Sequence, residues 1–356
     1  MRDGAPSDVI RQSAGWACSV SSWLAGRLLA DDIPVIGGTA SGDRANLVPE
    51  RITLTVPRFT SVNGDYFDWL PGEDTEHPLA KFGQRLQLSF TVTAPSTGRA
   101  YVTQFQTYAI QSWAETGDGS IQVEAAGVLQ LASDERFISP TAASGTFSSQ
   151  FRRLLPVTLT GATDGGLVDR GVPSTFNWGE DRLSAMYELA DAWPARIRTD
   201  PTGLVRMLPV LPEAPVPEIV FKDGADGTLV TAPRSDTRAG TANQVTAESE
   251  GGITVTVSQL NGPMAVTGPY GVVSYRFSSG ALTTEAEVKA AANAKLADLL
   301  RGSRSVTVTA APDPRIDIDD AVSVVSEKAD TWGWVDSYEM PLTVNDGPMT
   351  LTVSVQ

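Results

Sequence analysis

The chain has 356 residues, with 27 Lys and Arg against 42 Asp and Glu, a formal net charge of −15, and 41% hydrophobic residues. That length suffices for two or three domains whose cores need no disulfide staples. The acidic balance argues against a dedicated nucleic-acid-binding role, which requires a basic footprint, and against attraction to anionic membranes.

Cys18 and His77 are the single residues of their types, which excludes an intrachain disulfide and Cys/His zinc sites with several soft ligands. Cys18 lies in GWACSV, among apolar and small residues, and reads as a small buried hydrophobe. His77 lies in GEDTEHP, a polar, Pro-bounded loop, and nothing in the pattern brings it to Cys18 or into a Ser–His–Asp triad. The opening MRDGAPSDVIRQ lacks the apolar core of a secretory signal, and no run of about 18 apolar residues occurs. Cytoplasmic synthesis without membrane insertion is the expectation.

In chain order, the first clear elements are strands. Ile52, Leu54 and Val56 alternate with polar residues, as do Leu86, Leu88, Phe90 and Val92. Period two places the apolar members on one face of a half-buried antiparallel strand. Turn signals at Asn63-Gly64-Asp65 and Gly117-Asp118-Gly119 separate such runs. NWGEDRLSAMYELADAWP has helical period, with Leu183, Met186, Tyr187 and Ala190 on one face, Asn177 as the expected N-cap and Pro194 as the stop. The Pro-rich LPVLPEAPVPE at 208–218 marks a junction. Ile253, Val255 and Val257 alternate again. A helix over 283–301 follows, opened by a Thr284/Glu287 capping box and carrying Val288, Ala292, Leu296 and Leu299 as its stripe. The chain closes with a predicted hairpin, MPLTV to MTLTVSVQ through Asn345-Asp346-Gly347-Pro348. The division expected is a β-rich module over 1–155, a small helix-containing module over 156–215, and a β-rich module with one long helix over 216–356.

Three constellations invite a chemical reading. The acids Asp313, Asp317, Asp319 and Asp320 are the most metal-like stretch, but the Gly and Glu of a calcium loop are missing from their required positions. The alternation with Ile316 and Ile318 reads instead as a strand entering a turn. Lys222-Asp223-Gly224-Ala225-Asp226-Gly227 reads as a tight turn rather than an ion loop. Among the eight tryptophans, Trp332 and Trp334 flank one glycine near a strand start, which suits a sugar platform or, more simply, a core or subunit contact. Neither a GxxxxGK[ST] loop nor a strand-linked GxGxxG occurs. With 42 acids, a carboxylate pair of glycosidase type is not a pattern that sequence can single out. No catalytic, cofactor-binding or metal-ligating residue is therefore assigned.

The order of segments resembles the minor tail proteins of actinobacterial siphophages, of the baseplate or tail-tip hub family. The resemblance rests on Ile33-Pro34-Val35, Gly37-Gly38, Asp43-Arg44 and the strand from Arg51. It continues through the LxxLA helix, TDPTGLVRMLPV and DGADGTLVTAPRSDTRAGTANQV, and through GPYG, the Ala-rich helix and SVTVTAAPDPRIDIDDAVSV. One departure is that the family's Gly-Asp turn is here Asp319-Asp320. The resemblance implies a mainly β, α+β protein built of two tail-tube-like β-barrel modules and a small helical one. It implies a homotrimeric ring at the virion's tail tip, joined to the distal tail protein, the tail tube, the tape measure and tip or fibre proteins, with transient passage of DNA and no cofactor. The alternative is a carbohydrate-binding receptor protein or a tail-associated cell-wall hydrolase, the latter expected to carry a separate catalytic domain.

Overall fold

The computed structural model describes residues 1–356 except 13–14, 63–64, 174–175, 213, 215, 327–328 and 356. The turn expected at Asn63-Gly64 falls outside the described residues. The described residues are mainly β, with five α-helices: α1 (Ser7–Ile10), α2 (Gln130–Asp134), α3 (Phe147–Leu154), α4 (Arg182–Ala192) and α5 (Glu285–Arg301). No helix among the described residues is long and apolar enough to cross a membrane.

The alternating runs fold as strands. In Glu50–Pro57 and Arg85–Thr93 every second residue is buried, the set including Ile52, Leu54, Val56, Leu86, Leu88 and Phe90. Gly117-Asp118-Gly119 joins Ala100–Glu115 to Ser120–Gly127, with Gly119 at φ 81°. Thr116 and Ser120 donate to the Asp118 carboxylate and hold its pKa down at about 2. The closing hairpin forms as well: Ala329–Pro341 pairs with Met349–Val355, and Asp346 in the connection accepts from the Thr343 amide and hydroxyl.

The expected barrels are not present: no sheet among the described strands closes on itself. Fourteen strands instead form one open sheet. Its path runs from Leu229–Thr231 through Arg304–Ala310, Met349–Val355 and Ala329–Pro341 to Gly37–Asp43. It continues through Glu50–Pro57, Ser120–Gly127, Ala100–Glu115, Arg85–Thr93 and Gly15–Leu24, and ends at Arg27–Ala30. The physical reason lies in Ala329–Pro341, which is 13 residues long. One part of it pairs with Ala321–Ser326, and the part beyond Asp336 pairs with Gly37–Asp43, so C-terminal and N-terminal strands share a single ladder. The Gly37-Gly38 pair belongs to this join. Gly38 has φ 141°, and a Cβ there would stand 2.2 Å from the Thr53 carbonyl oxygen, so no larger residue fits the close approach.

Two large apolar cores result. One lies against the main sheet and draws on residues such as Val20, Phe90, Phe105, Phe221, Val335 and Tyr338. The other is built by α3, α4 and α5 with the sheets around Ala195–Thr199 and Gln244–Ser249, and buries Phe151, Trp178, Leu189, Val245 and Leu296. The expected N-cap of α4 is corrected. Asn177-Trp178 is a short strand opposite Thr141-Ala142, held by the fully buried Trp178, whose indole donates to Gln150 at 2.8 Å. Asp181 caps instead, accepting from the Ser184 amide at 2.7 Å. In α5 the Thr284/Glu287 capping box is present, and Val288, Ala291, Ala292 and Leu296 face inward. The helix lies on the strands Gln244–Ser249 and Thr254–Ser258, a separate small sheet.

Leu296 is 7% exposed. Leu296→Asp buries an unpaired charge there and is expected to destabilise by about 3 kcal/mol or more. A thermal melt that matches the unsubstituted protein counts against this placement of the helix.

Candidate functional site

The acidic strip 311–320 connects Arg304–Ala310 to Ala321–Ser326. It is a succession of turns, not the strand entering a turn that the Ile/Asp alternation suggests. Ile316 and Ile318 are both buried in the core of the main sheet, and this anchors the strip. Each carboxylate then meets a cationic group of the protein itself. Asp313 accepts from Arg315 Nε at 2.9 Å and Nη2 at 2.6 Å, and both residues are buried. Asp317 accepts from Arg2 at 2.9 Å, and that guanidinium stacks 4.0 Å from the centre of the Phe105 ring. Asp320 accepts from the Met1 nitrogen and from the Asp317 amide. Burial pushes the Asp320 carboxyl up to about 6. Among the described residues no group of three or more His, Cys, Asp or Glu is arranged to hold a metal ion.

Asp319 is the most heavily used of the four. Its carboxylate accepts from Arg196 at 2.8 Å, from Arg198 at 2.5 Å and from Arg301 at 3.0 Å. Arg196 and Arg198 alternate along Ala195–Thr199 and so lie on one face of that strand, while Arg301 closes the last turn of α5. The backbone at Asp319 has φ 69°, the left-handed region, at the position where the resemblance expects glycine. Asp tolerates this conformation better than most residues. Burial raises the Asp319 carboxyl, but Arg198, Arg196 and Arg301 more than reverse that and bring it down to about 2.

Arg301 reaches on to Asp336 at 2.9 Å, and Arg44 bridges Asp336 at 2.6 Å and Asp298 at 2.5 Å. Asp336 lies where the ladder register shifts between Val335 and Ser337, and this bulge aims its carboxylate at the network. Burial holds its pKa above the ordinary carboxylate value despite the two arginines. A second buried thread runs alongside: Thr199 donates to Glu50 at 2.8 Å and receives Gln106 at 3.0 Å. Beside the network opens a cleft of about 1190 Å³, walled by both cores and lined by Asp319, Arg301, Trp334, Tyr187, Tyr270 and Phe277 among others. That volume exceeds the range of about 300–1,000 Å³ usual for small-molecule sites.

The other sequence candidates have structural places. His77 is buried, accepts the Leu79 amide at Nδ1, places Nε2 3.2 Å from the Asp68 carbonyl and stacks on Phe67. Cys18 lies on another strand, opposite Phe90, and burial pushes its thiol up to about 11. Lys222–Gly227 is a tight turn, with Gly224 at φ 91° and the Gly227 amide bonded to the Gly224 carbonyl at 3.0 Å. Trp334 is buried within cation–π range of Arg301, and Trp332 is half-buried opposite Ser323. The arginines of the network were missed by sequence reasoning. The alternating Arg196/Arg198 pair on a predicted strand was the available signal.

No family model and no curated protein matches the chain. Solved structures do match in fold. A tail protein from Neisseria meningitidis MC58 superposes with a TM-score of 0.67 at 12% identity, covering 96% of this chain and 97% of that one. The 43 kDa tail protein of prophage MuSo2 from Shewanella oneidensis gives 0.60 at 11% identity, over 96% and 100%. The prophage tail protein gp18 from Listeria monocytogenes EGD-e gives 0.56 at 11% identity, over 94% of each chain. At these identities, what is shared is the fold.

The Asp319 pKa lies below its ordinary value, so its contribution is present above about pH 4 and is lost as pH falls through about 2. A displacement of that size corresponds to about 2–3 kcal/mol. Asp319→Asn keeps the shape and tolerates the left-handed backbone but removes the charge. It is expected to cost about 3–5 kcal/mol at neutral pH and to flatten the acid limb of the stability curve between about pH 4 and 2. Chemical denaturation across that pH range measures both.

Proposed function

We propose that this chain is a structural component of a phage-type tail, at the tail tip. In this reading three copies form a ring that joins the tube to the tip, contacts the distal tail protein, tape measure and tip or fibre proteins, and lets the genome pass. The observation that carries it is end-to-end agreement in fold with three tail proteins. Each superposition takes in at least 94% of both chains, so the likeness extends over all the layers and not to one shared domain. The sequence resemblance to tail-tip hub proteins adds the ring and its place in the virion. The threefold count rests on that resemblance alone.

A structural role rather than an enzymatic one is part of the proposal. It is supported by the way the reactive side chains are engaged: the one histidine is a buried peg, and the buried carboxylates of the strip are bonded to arginines. The buried charges largely cancel in pairs, so the excess of −15 resides on solvent-facing surface. In a ring, part of that surface is the channel wall. An acidic wall repels phosphate and keeps DNA sliding, whereas a wall of Lys and Arg would release counterions and grip it.

Imaging of an intact tail tip with this chain labelled is expected to show a ring of three copies on the tail axis with a net acidic inner wall. Six copies, a single copy, or a wall dominated by Lys and Arg each contradict the corresponding part. Separately, the purified chain is expected to leave host peptidoglycan intact. Clearing that disappears on changing one carboxylate would establish an enzyme.

A further inference from the structure

The seam cleft and the far end of the main sheet are complementary surfaces. The cleft is lined by seven basic side chains against four carboxylates, and a fifth carboxylate, Asp336, pairs with Arg44 and Arg301 beside it, which leaves a small positive excess in a chain with the opposite net sign. Its walls carry the aromatic rings of Tyr187, Tyr270, Phe277 and Trp334. At the other end of the strand order, beside Arg27–Ala30, Phe59–Val62 pairs with Asp65–Asp68 as a two-stranded sheet, which pairs with no other of the described strands. Tyr66 on it is 83% exposed and Phe59 56% exposed, and Phe67 is also exposed. Solvent-facing aromatics grouped in this way mark interaction sites. The groove at the foot of the hairpin is lined by Asp32, Asp68, Asp74 and Glu76 and by no Lys or Arg, with Glu76 paired to Arg27 and Asp68 to Arg58 at its edge. The exposed stretch Glu73–Glu76 adds further acid.

We propose that the aromatic hairpin of one copy seats in the seam cleft of the next copy. Tyr66, with Phe59 on the same face of the hairpin, enters the aromatic wall, and Glu73, Asp74 and Glu76 face the basic rim around Arg238 and Arg304. A projecting, aromatic, acidic element meets a concave, aromatic, basic one, the pairing of anchors and pockets from which interface hot spots are built. The two surfaces have no residue in common, so the contact is heterologous. Repetition of a heterologous contact closes a ring when its rotation permits. The inference rests on the ring reading above and gives that ring its subunit interface.

The test uses the full chain with Cys18→Ser, which leaves no native thiol. One variant adds Ser61→Cys on the hairpin, a second adds Asn261→Cys at the cleft, and a short bis-maleimide is applied to the mixture. Cross-linking is expected between the two variants and not within either alone. Tyr66→Ala is expected to weaken association about 30-fold or more. Glu73→Lys with Glu76→Lys is expected to abolish the cross-link, and Arg238→Glu with Arg304→Glu on the cleft-bearing partner to restore it. A trimer seen by native mass spectrometry without this cross-link overturns the contact and leaves the ring standing. A cross-link that survives charge reversal overturns the contact as drawn. A chain that stays monomeric at millimolar concentration also overturns it, while the tail reading is decided separately by imaging of the tip.

Discussion

One carboxylate under three guanidiniums governs how this molecule is put together. Each of the two cores is apolar, and the helical one also takes in Ala126 from the main sheet. Where they meet, at the Asp319 network, the contacts are charged and buried. Asp319 collects Arg196 and Arg198 from a strand of the helical layer and Arg301 from the end of α5. Its own position is fixed from the other side by Ile316 and Ile318 in the core of the main sheet. Such a junction contributes modest net stability, because desolvating the ions costs nearly what their attraction returns. It does define a single docking geometry, since any sliding of one layer strands a charge in low dielectric. Glu50, Thr199 and Gln106 repeat the device with neutral donors.

Much of this fold is legible in the sequence, for a reason that also limits the legibility. Period-two alternation in 52–56 and 86–92 and the stripe of α5 report which face of an element is apolar, and local burial enforces them directly. The capping box at Thr284 is equally local. What is not legible is which edge a strand offers to which partner. Ala329–Pro341 reads as the arm of a hairpin, and it is one, but its length lets it also take Gly37–Asp43, about 300 residues away in sequence, and no barrel closes. The N-cap of α4 failed in the same way. Asn177 is as good a capping residue as Asp181, and the choice is made by Trp178, which must reach Gln150 in the interior.

The acidic strip shows the same division within one segment. Four acids in eight residues carry no periodicity that separates a cation site from an arginine clasp. The difference lies in guanidiniums brought from Arg2, Arg196, Arg198 and Arg301, none of them within ten residues of the acid it meets. The local clues are Arg315, two residues after Asp313, and Asp319 itself, at the position where the resemblance expects glycine. A left-handed residue with a carboxylate keeps the turn and adds a ligand for arginine. This also bears on why proteins of 11–12% identity share the architecture. Apolar cores accept extensive exchange at constant volume and pattern, so a shared fold does not require shared core residues.

The charge distribution ties the interior to the assembly. Arg2, Arg44, Arg196, Arg198, Arg301 and Arg315 are all held in ion pairs within or beside the cores. Basic side chains number only 27 against 42 acids, so the rest of the molecule is acidic on balance. The cleft beside Asp319 is lined by Arg44, Arg196, Arg198 and Arg301 and by the carboxylates of Asp298 and Asp319, together with Arg238 and Arg304 at its rim. An aromatic recess with a basic rim, on a chain of net negative charge, has the character of an orienting feature. Electrostatic complementarity of this kind sets partner and register more than it sets affinity. The network that fixes the two cores against each other thereby also fixes the shape and sign of the recess on the outside.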